Sequence, residues 1–390
     1  MESTRRNLLK IAAMLLMDGW GSSRLRASSM SRVLSAPADA PKVIVLTCGG
    51  IRAAETFSED GLRNIPHLYS DLLPRSAFYP VVRNDGVTSH YNTISSILTG
   101  NWQRVDDWGK TPPASPTIFE YLRKRLQAPS TDAWLISSNK ALTSQIAASS
   151  DPTFGPRYGA NVVFPKQLLI DAVVNAAAHG RVAHTGDRPA MESEIKSILD
   201  SNNYESLGWS ASGETSNLDT EMHSSLLRAI EDLVRANAPV TGDEFTFLVS
   251  VEVMRRFAPS LLVINFSDVE AAHFGSYSLH LAGIRTLDRL AFELWNEVQT
   301  NSQYRGRTTL FILPEFGRDL DGSNTNGFFN HRQDNDSTRN AWMMCLGQGV
   351  KAAGAIDHPV QHIDICPTLA TLFGAKPPDV LGKPLAEIRV

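Results

Sequence analysis

The feature that most constrains this chain is a rhythm of short, β-branched apolar runs, each ending abruptly in a polar or glycine-containing loop. "KVIVLTCGGIR" (42–52), "TDAWLISSN" (131–139), "SLLVINFSD" (260–268) and "TTLFIL" (308–313) have this form, and "NAWMMCLG" (340–347) is a further candidate. None shows the strict alternation of a half-exposed strand, so each predicts a strand covered on both faces. Between the runs lie helical patterns. After the third run, Ile284, Leu287, Ala291, Leu294 and Val298 recur at helical spacing and predict one long amphipathic helix. Strands alternating with helices give an α/β fold with a mostly parallel central sheet sandwiched by helices. Residues 166–258 break the rhythm. They are helix-rich and contain the polar stretch "SNNYESLGWSASGETSN", which predicts a helical insertion over the sheet edge rather than an independent domain.

The first forty residues read as an address rather than as fold. Arg5 and Arg6 precede a short apolar stretch, Leu8 to Met17, and small residues follow at Ala38 and Ala40. That is the layout of a twin-arginine export signal over 1–40, leaving residues 41–390 as the folded domain. It predicts a periplasmic or secreted protein handled by the twin-arginine export machinery. The apolar stretch, at about ten residues, is too short to span a bilayer, and no other segment is long and apolar enough to do so. A net charge of −4 without a basic stripe gives no reason to expect a nucleic-acid partner. Three cysteines, Cys48, Cys345 and Cys366, all lie in apolar runs and read as small core side chains rather than a disulfide framework.

In open α/β sheets functional groups collect beyond the carboxyl ends of the strands. Four such places carry suggestive residues: Gly49-Gly50-Ile51-Arg52, Asp268 with Glu270 and His273, Glu315 with Asp319, and the loop "FFNHRQDND" with His331 and Asp334. Carboxylates and imidazoles on separate loops at one sheet edge suit a divalent ion such as zinc or manganese. Asp268, His273, His331 and Glu315 are the candidate ligands. Thr88 and Ser89 make a good helix start, whose free N–H groups also suit an anionic phosphate or sulfate. Arg318 and Asp319 either pair with each other at the surface or meet an anionic substrate.

The same segments, in order, resemble the alkaline phosphatase superfamily, especially its phosphodiesterase, phosphopentomutase and sulfatase-like branches. "VIVLTCGGIR" is similar to the opening strand and turn, "IPHLYSDLL" to the first helix, and "TSHYNTISSILTG" to the nucleophile helix ending in Leu-Thr-Gly. "INFSDVEAAHFGSY" resembles the loop giving one metal an Asp and a His, "NHRQDN" the loop with a later His, and "HIDICPTLATLFGAKPPDVLGKPL" the closing segment. The resemblance implies one ion held by Asp268, His273 and His331. The second ion's ligands are depleted: Gly49 and Phe316 stand where the family has Asp and His, and Glu315 alone keeps a carboxylate. The nucleophile position falls near His90, or on Ser89 or Thr88 with a small shift. His90 is also placed to supply an imidazole in partial replacement of the ligand lost at Phe316. On this resemblance the chain is expected to be an exported hydrolase of a small anionic phosphate or sulfate ester with a one-metal site. The alternative is an inactive relative that binds a ligand or partner at the old cleft.

Overall fold

The structure is a computed structural model that describes residues 40–105, 109–140, 142–166, 168, 241–322, 327–351, 354–376 and 380–389. Residues 1–39, nearly all of the expected export segment, and 169–240, the bulk of the expected insertion, lie outside these.

Among the described residues nine strands form one sheet: β1 (Lys42–Cys48), β2 (Ser76–Arg83), β3 (Ala133–Ser137), β4 (Asn161–Val163), β5 (Leu261–Phe266), β6 (Thr308–Pro314), β7 (Asn340–Gly347), β8 (Gly354–Ala355) and β9 (Val360–Gln361). The order is β4-β3-β5-β1-β6-β7-β2-β8, with β9 also paired to β2. Pairings are parallel except those of β7, which runs antiparallel between β6 and β2. The expected α/β architecture, a mostly parallel sheet flanked by helices, is what the chain has. All five strand segments read from the sequence are strands.

Alternate residues of each central strand feed two cores. Ile44, Leu46, Leu262, Ile264, Leu310 and Ile312 face one side, under α3 (Gly242–Phe257) and α4 (Tyr277–Thr300). Val43, Val45, Val263, Phe311 and Leu313 face the other, under α1 (His90–Thr99), α2 (Ile118–Leu126) and α5 (Ile365–Leu372). Covering both faces is why the strands are apolar throughout. In α4 the five residues picked out by their spacing are all buried. The described part of 166–258 includes α3, which packs in the main helical layer against β5 and α4.

Two segments depart from the sequence expectations. "SAFYPVVR" is strand β2, unrecognised because Pro80 interrupts it. The proline sits exposed where the pairing with β7 shifts register between Tyr79 and Val82, and an irregularity there tolerates a residue without an N–H. "IPHLYSDLL" forms short 3-10 and π turns over 62–75 rather than a regular α-helix. α1 ends at Gly100, whose φ of 71° is left-handed, and its N–H closes the last turn on Ser96 O. The three cysteines are free and buried, and no described helix is long and apolar enough to cross a membrane.

Candidate metal centre

β5, β1 and β6 are neighbours, so their carboxyl ends open side by side. Beyond β5 the chain enters a 3-10 segment, Asp268–Phe274, that carries Glu270 and His273. Beyond β1 come Gly49 and Gly50, and beyond β6 come Glu315 and Phe316. α1 starts at this edge with His90 as its first residue, and the loop after Gly327–Phe329 supplies His331.

Four side chains from three of these segments meet. His90, Glu270, His273 and His331 each bring one ligand atom, all within 4.8 Å of one another. His273 Nε2 lies 3.2 Å from His331 Nε2 and 3.0 Å from Glu270 Oε2, and His90 Nε2 lies 3.2 Å from Glu270 Oε2. Donors about 2 Å from a tetrahedral zinc ion sit about 3.3 Å apart, so this spacing fits a single ion. His90 Nε2 and Glu270 Oε2 are both buried, make no hydrogen bond of good geometry, and face each other at 3.2 Å.

The ring orientations are fixed from behind. His331 Nδ1–H donates to Thr88 O at 2.6 Å, and a carbonyl can only accept, so the neutral ring presents its Nε2 lone pair inward. His90 Nδ1–H likewise donates to Glu315 Oε2 at 2.6 Å. Glu270 Oε1 is taken up by Arg318 Nη2 at 2.7 Å and Gly50 N–H at 2.8 Å, which leaves Oε2 for the centre. Phe316 packs against the rings of His331 and His90, with centroids 4.3 and 4.9 Å apart, and walls one side with carbon.

Charge is arranged to match. Burial works against the charge of Glu270, but Arg318 and His90 hold its carboxyl well below the usual range. Burial also opposes charge on His90, yet the Glu270 and Glu315 carboxylates lift its imidazole to about 10. Burial lowers His273, and burial together with His90 and His273 pushes His331 well below its ordinary value, so both are neutral imidazoles. The two carboxylates thus favour positive charge at His90.

The residues expected at the site fall into two groups. His273, His331 and His90 come together, the last through the imidazole placed in partial replacement at Phe316. Asp268 is not in the group of four: its Oδ2 accepts from Asp243 N–H at the start of α3. Glu315 lies behind His90 rather than among the four. Arg318 and Asp319 do not pair with each other at the surface, as both are fully buried. Arg318 donates to Gly50 O and Glu270, and Asp319 Oδ1 accepts from Gln333 N–H and Thr338 Oγ1, tying down the loop of His331. Thr88 Oγ1 donates to His331 O, and Ser89 Oγ accepts from Asn92.

Glu270 is the carboxylate of the four, although only its position at a strand end was evident from the sequence. The missing signal is local. In a 3-10 turn residues i and i+3 eclipse, so Glu270 and His273 share one edge, whereas Asp268 and His273 do not. Gly49 gives the second half of the signal: a Cβ there would lie 1.9 Å from Glu270 Oε1. The carboxylate occupies the space that a side chain at 49 would fill.

No family model and no curated protein sequence matches the chain. Solved structures do. The alkaline phosphatase PafA superposes with a TM-score of 0.54 at 13% identity, covering 91% of this chain and 99% of its own. A phosphonate monoester hydrolase from Silicibacter pomeroyi gives 0.52 at 14% identity, covering 88% of this chain and 76% of its own. A Bacteroides thetaiotaomicron protein of glycosaminoglycan metabolism gives 0.51 at 12% identity, covering 89% and 76%. The chain thus has the alkaline phosphatase-like fold. Two of these neighbours are named as an alkaline phosphatase and a phosphonate monoester hydrolase, and this chain carries a His and Glu cluster that could hold a metal.

Proposed function

We propose that the protein is an exported, metal-dependent hydrolase of a phosphate or sulfate ester, working through one divalent ion held by His90, Glu270, His273 and His331. The observation that carries this is the convergence of three imidazoles and one carboxylate, whose ligand atoms all lie within 4.8 Å of one another. A nitrogen-rich set favours zinc, with manganese the alternative, over calcium or magnesium. Export follows from the paired arginines and short apolar stretch at the N-terminus. The names of the structural neighbours support the ester class.

When bound, such an ion polarises an ester oxygen and acidifies a water. The protein's own part is orientation. Arg318 holds Glu270, Thr88 holds His331 and Glu315 holds His90, so little rearrangement is needed when substrate arrives. The amino end of α1 adds partial positive charge for an anionic ester. Phe316 excludes water from one side. With Thr88 Oγ1 donating to His331 O and Ser89 Oγ bonded to Asn92, water is favoured over either hydroxyl as the attacking group.

One observation favours a second reading. His90 lies 3.2 Å from Glu270 and 2.6 Å from Glu315, and Arg318 lies 2.7 Å from Glu270, an ion-pair cluster that can stand without a metal, as in an inactive binding protein. Turnover separates the two. Aryl phosphate monoesters, phosphodiesters and sulfates should be hydrolysed by the purified mature protein, with activity lost on chelation and restored by zinc or manganese. No turnover of any of them, with or without added metal, would leave only the second reading.

A further inference from the structure

Glu315 is 2% exposed, and no part of it reaches the shared point of the four ligand atoms. Its two oxygens are both engaged elsewhere. Oε2 accepts from His90 Nδ1–H at 2.6 Å and Oε1 accepts from Asn265 Nδ2 at 2.8 Å. Asn265 is itself held: Nδ2 also donates to Thr47 Oγ1 at 3.0 Å, and Oδ1 accepts from Ser137 Oγ at 3.0 Å. The strand register explains this. Asn265 of β5 stands directly opposite Thr47 of β1 on one side and Ser137 of β3 on the other. A buried polar row therefore crosses β3, β5 and β1 near their carboxyl ends, continues to Glu315 just past β6, and finishes on His90.

A row of polar side chains inside an otherwise apolar sheet costs stability unless every member is bonded. Here its free end is a ligand imidazole. We infer that Glu315 is a positioning residue that acts through His90, and that Asn265 positions Glu315. The carboxylate accepts the Nδ1 proton, fixes the tautomer and turns the ring so that Nε2 faces the centre. Acceptors behind a ligating histidine raise its basicity, and their loss typically weakens metal binding by ~10–100-fold. This rests on the one-metal reading above. It assigns Glu315 a place behind a ligand, since Nδ1 and Nε2 occupy different edges of the ring and only Nε2 belongs to the centre.

The test compares wild type, Glu315→Gln and Asn265→Ala in the folded mature protein. Zinc affinity is read by chelator competition, cobalt(II) by its visible spectrum, and the His90 Nδ1 proton by imidazole NMR of the metal-free protein. Glu315→Gln should weaken zinc by ~10–100-fold, keep one ion per chain and keep the cobalt bands of the same coordination class. Asn265→Ala should do the same to a smaller degree. A downfield Nδ1 proton should be present in wild type and shifted upfield in Glu315→Gln. Cobalt bands that change class would make Glu315 a ligand and overturn the inference, as would unchanged zinc affinity. If wild type shows the Nδ1 proton but binds no ion, the one-metal reading falls, and the positioning role with it. The two failures are thus told apart by whether wild type binds metal.

Discussion

A methyl group on Gly49 would lie 1.9 Å from Glu270 Oε1, so one glycine governs whether the carboxylate can reach the centre. Gly49→Ala should displace Glu270, weaken zinc binding measurably and cost about 1–3 kcal/mol in denaturant unfolding, as overpacking does. An alanine variant with wild-type zinc affinity would show that Glu270 is not needed there. At this scale the sequence was half legible. His273 and His331 stood out only in combination, because carboxylates and imidazoles recur on separate loops at one sheet edge in the order the resemblance implies. Asp268 drew attention over Glu270 because sequence spacing does not reveal a 3-10 turn, in which the third residue on, not the fifth, shares an edge. Arg318 and Asp319 read either as a surface pair or as contacts for an anionic substrate, since nothing in "EFGRDLDG" shows that the loop folds back beneath Gly50 and the His331 loop.

Elements were easier to read than side-chain roles. Strands buried on both faces carry near-continuous apolar runs, and a 24-residue helix such as α4 repeats its pattern several times. The direction of β7 was not legible, because an apolar strand has the same composition whichever way it runs. β2 was hidden by Pro80. The start of α3 shows how elements are pinned near the site. Thr241 Oγ1 accepts from Glu244 N–H at 3.1 Å, Glu244 Oε2 accepts from Thr241 N–H at 3.3 Å, and Glu244 also pairs with Arg289 of α4. This reciprocal cap fixes the helix that holds Asp243 against Ser267 and Asp268. Thr241→Ala should lower stability by about 1 kcal/mol, seen as a lower urea midpoint. Zinc affinity should not change, because none of the four proposed ligands lies on α3.

Over the whole molecule, buried histidines set the response to acid. Burial pushes His280 down to about 3 and His362 down to about 4, while both titrate near 6.5 when the chain is unfolded. Each is neutral in the fold, so its contribution is complete above pH ~6.5 and is lost as pH falls below that toward the folded values, on the order of 2 kcal/mol per histidine by pH 5. His90 has the opposite sign: lifted to about 10 in the metal-free chain, it contributes below pH ~6.5 and loses that only as pH rises toward 10. Urea midpoints should therefore fall between pH 7 and 5, and His280→Asn should flatten part of that slope. A midpoint unchanged across the window in both proteins would contradict the assignment. The fold itself was foreseeable at this scale, since the order of strand ends and loops runs along nearly the whole chain.

The most direct measurement is the number of ions per chain. Purified protein, equilibrated with zinc and passed through a desalting column, should carry one zinc ion by elemental analysis, and His273→Ala should carry none while keeping its circular dichroism. Two ions per wild-type chain, or none, or one retained by His273→Ala, would contradict a single centre built from His90, Glu270, His273 and His331.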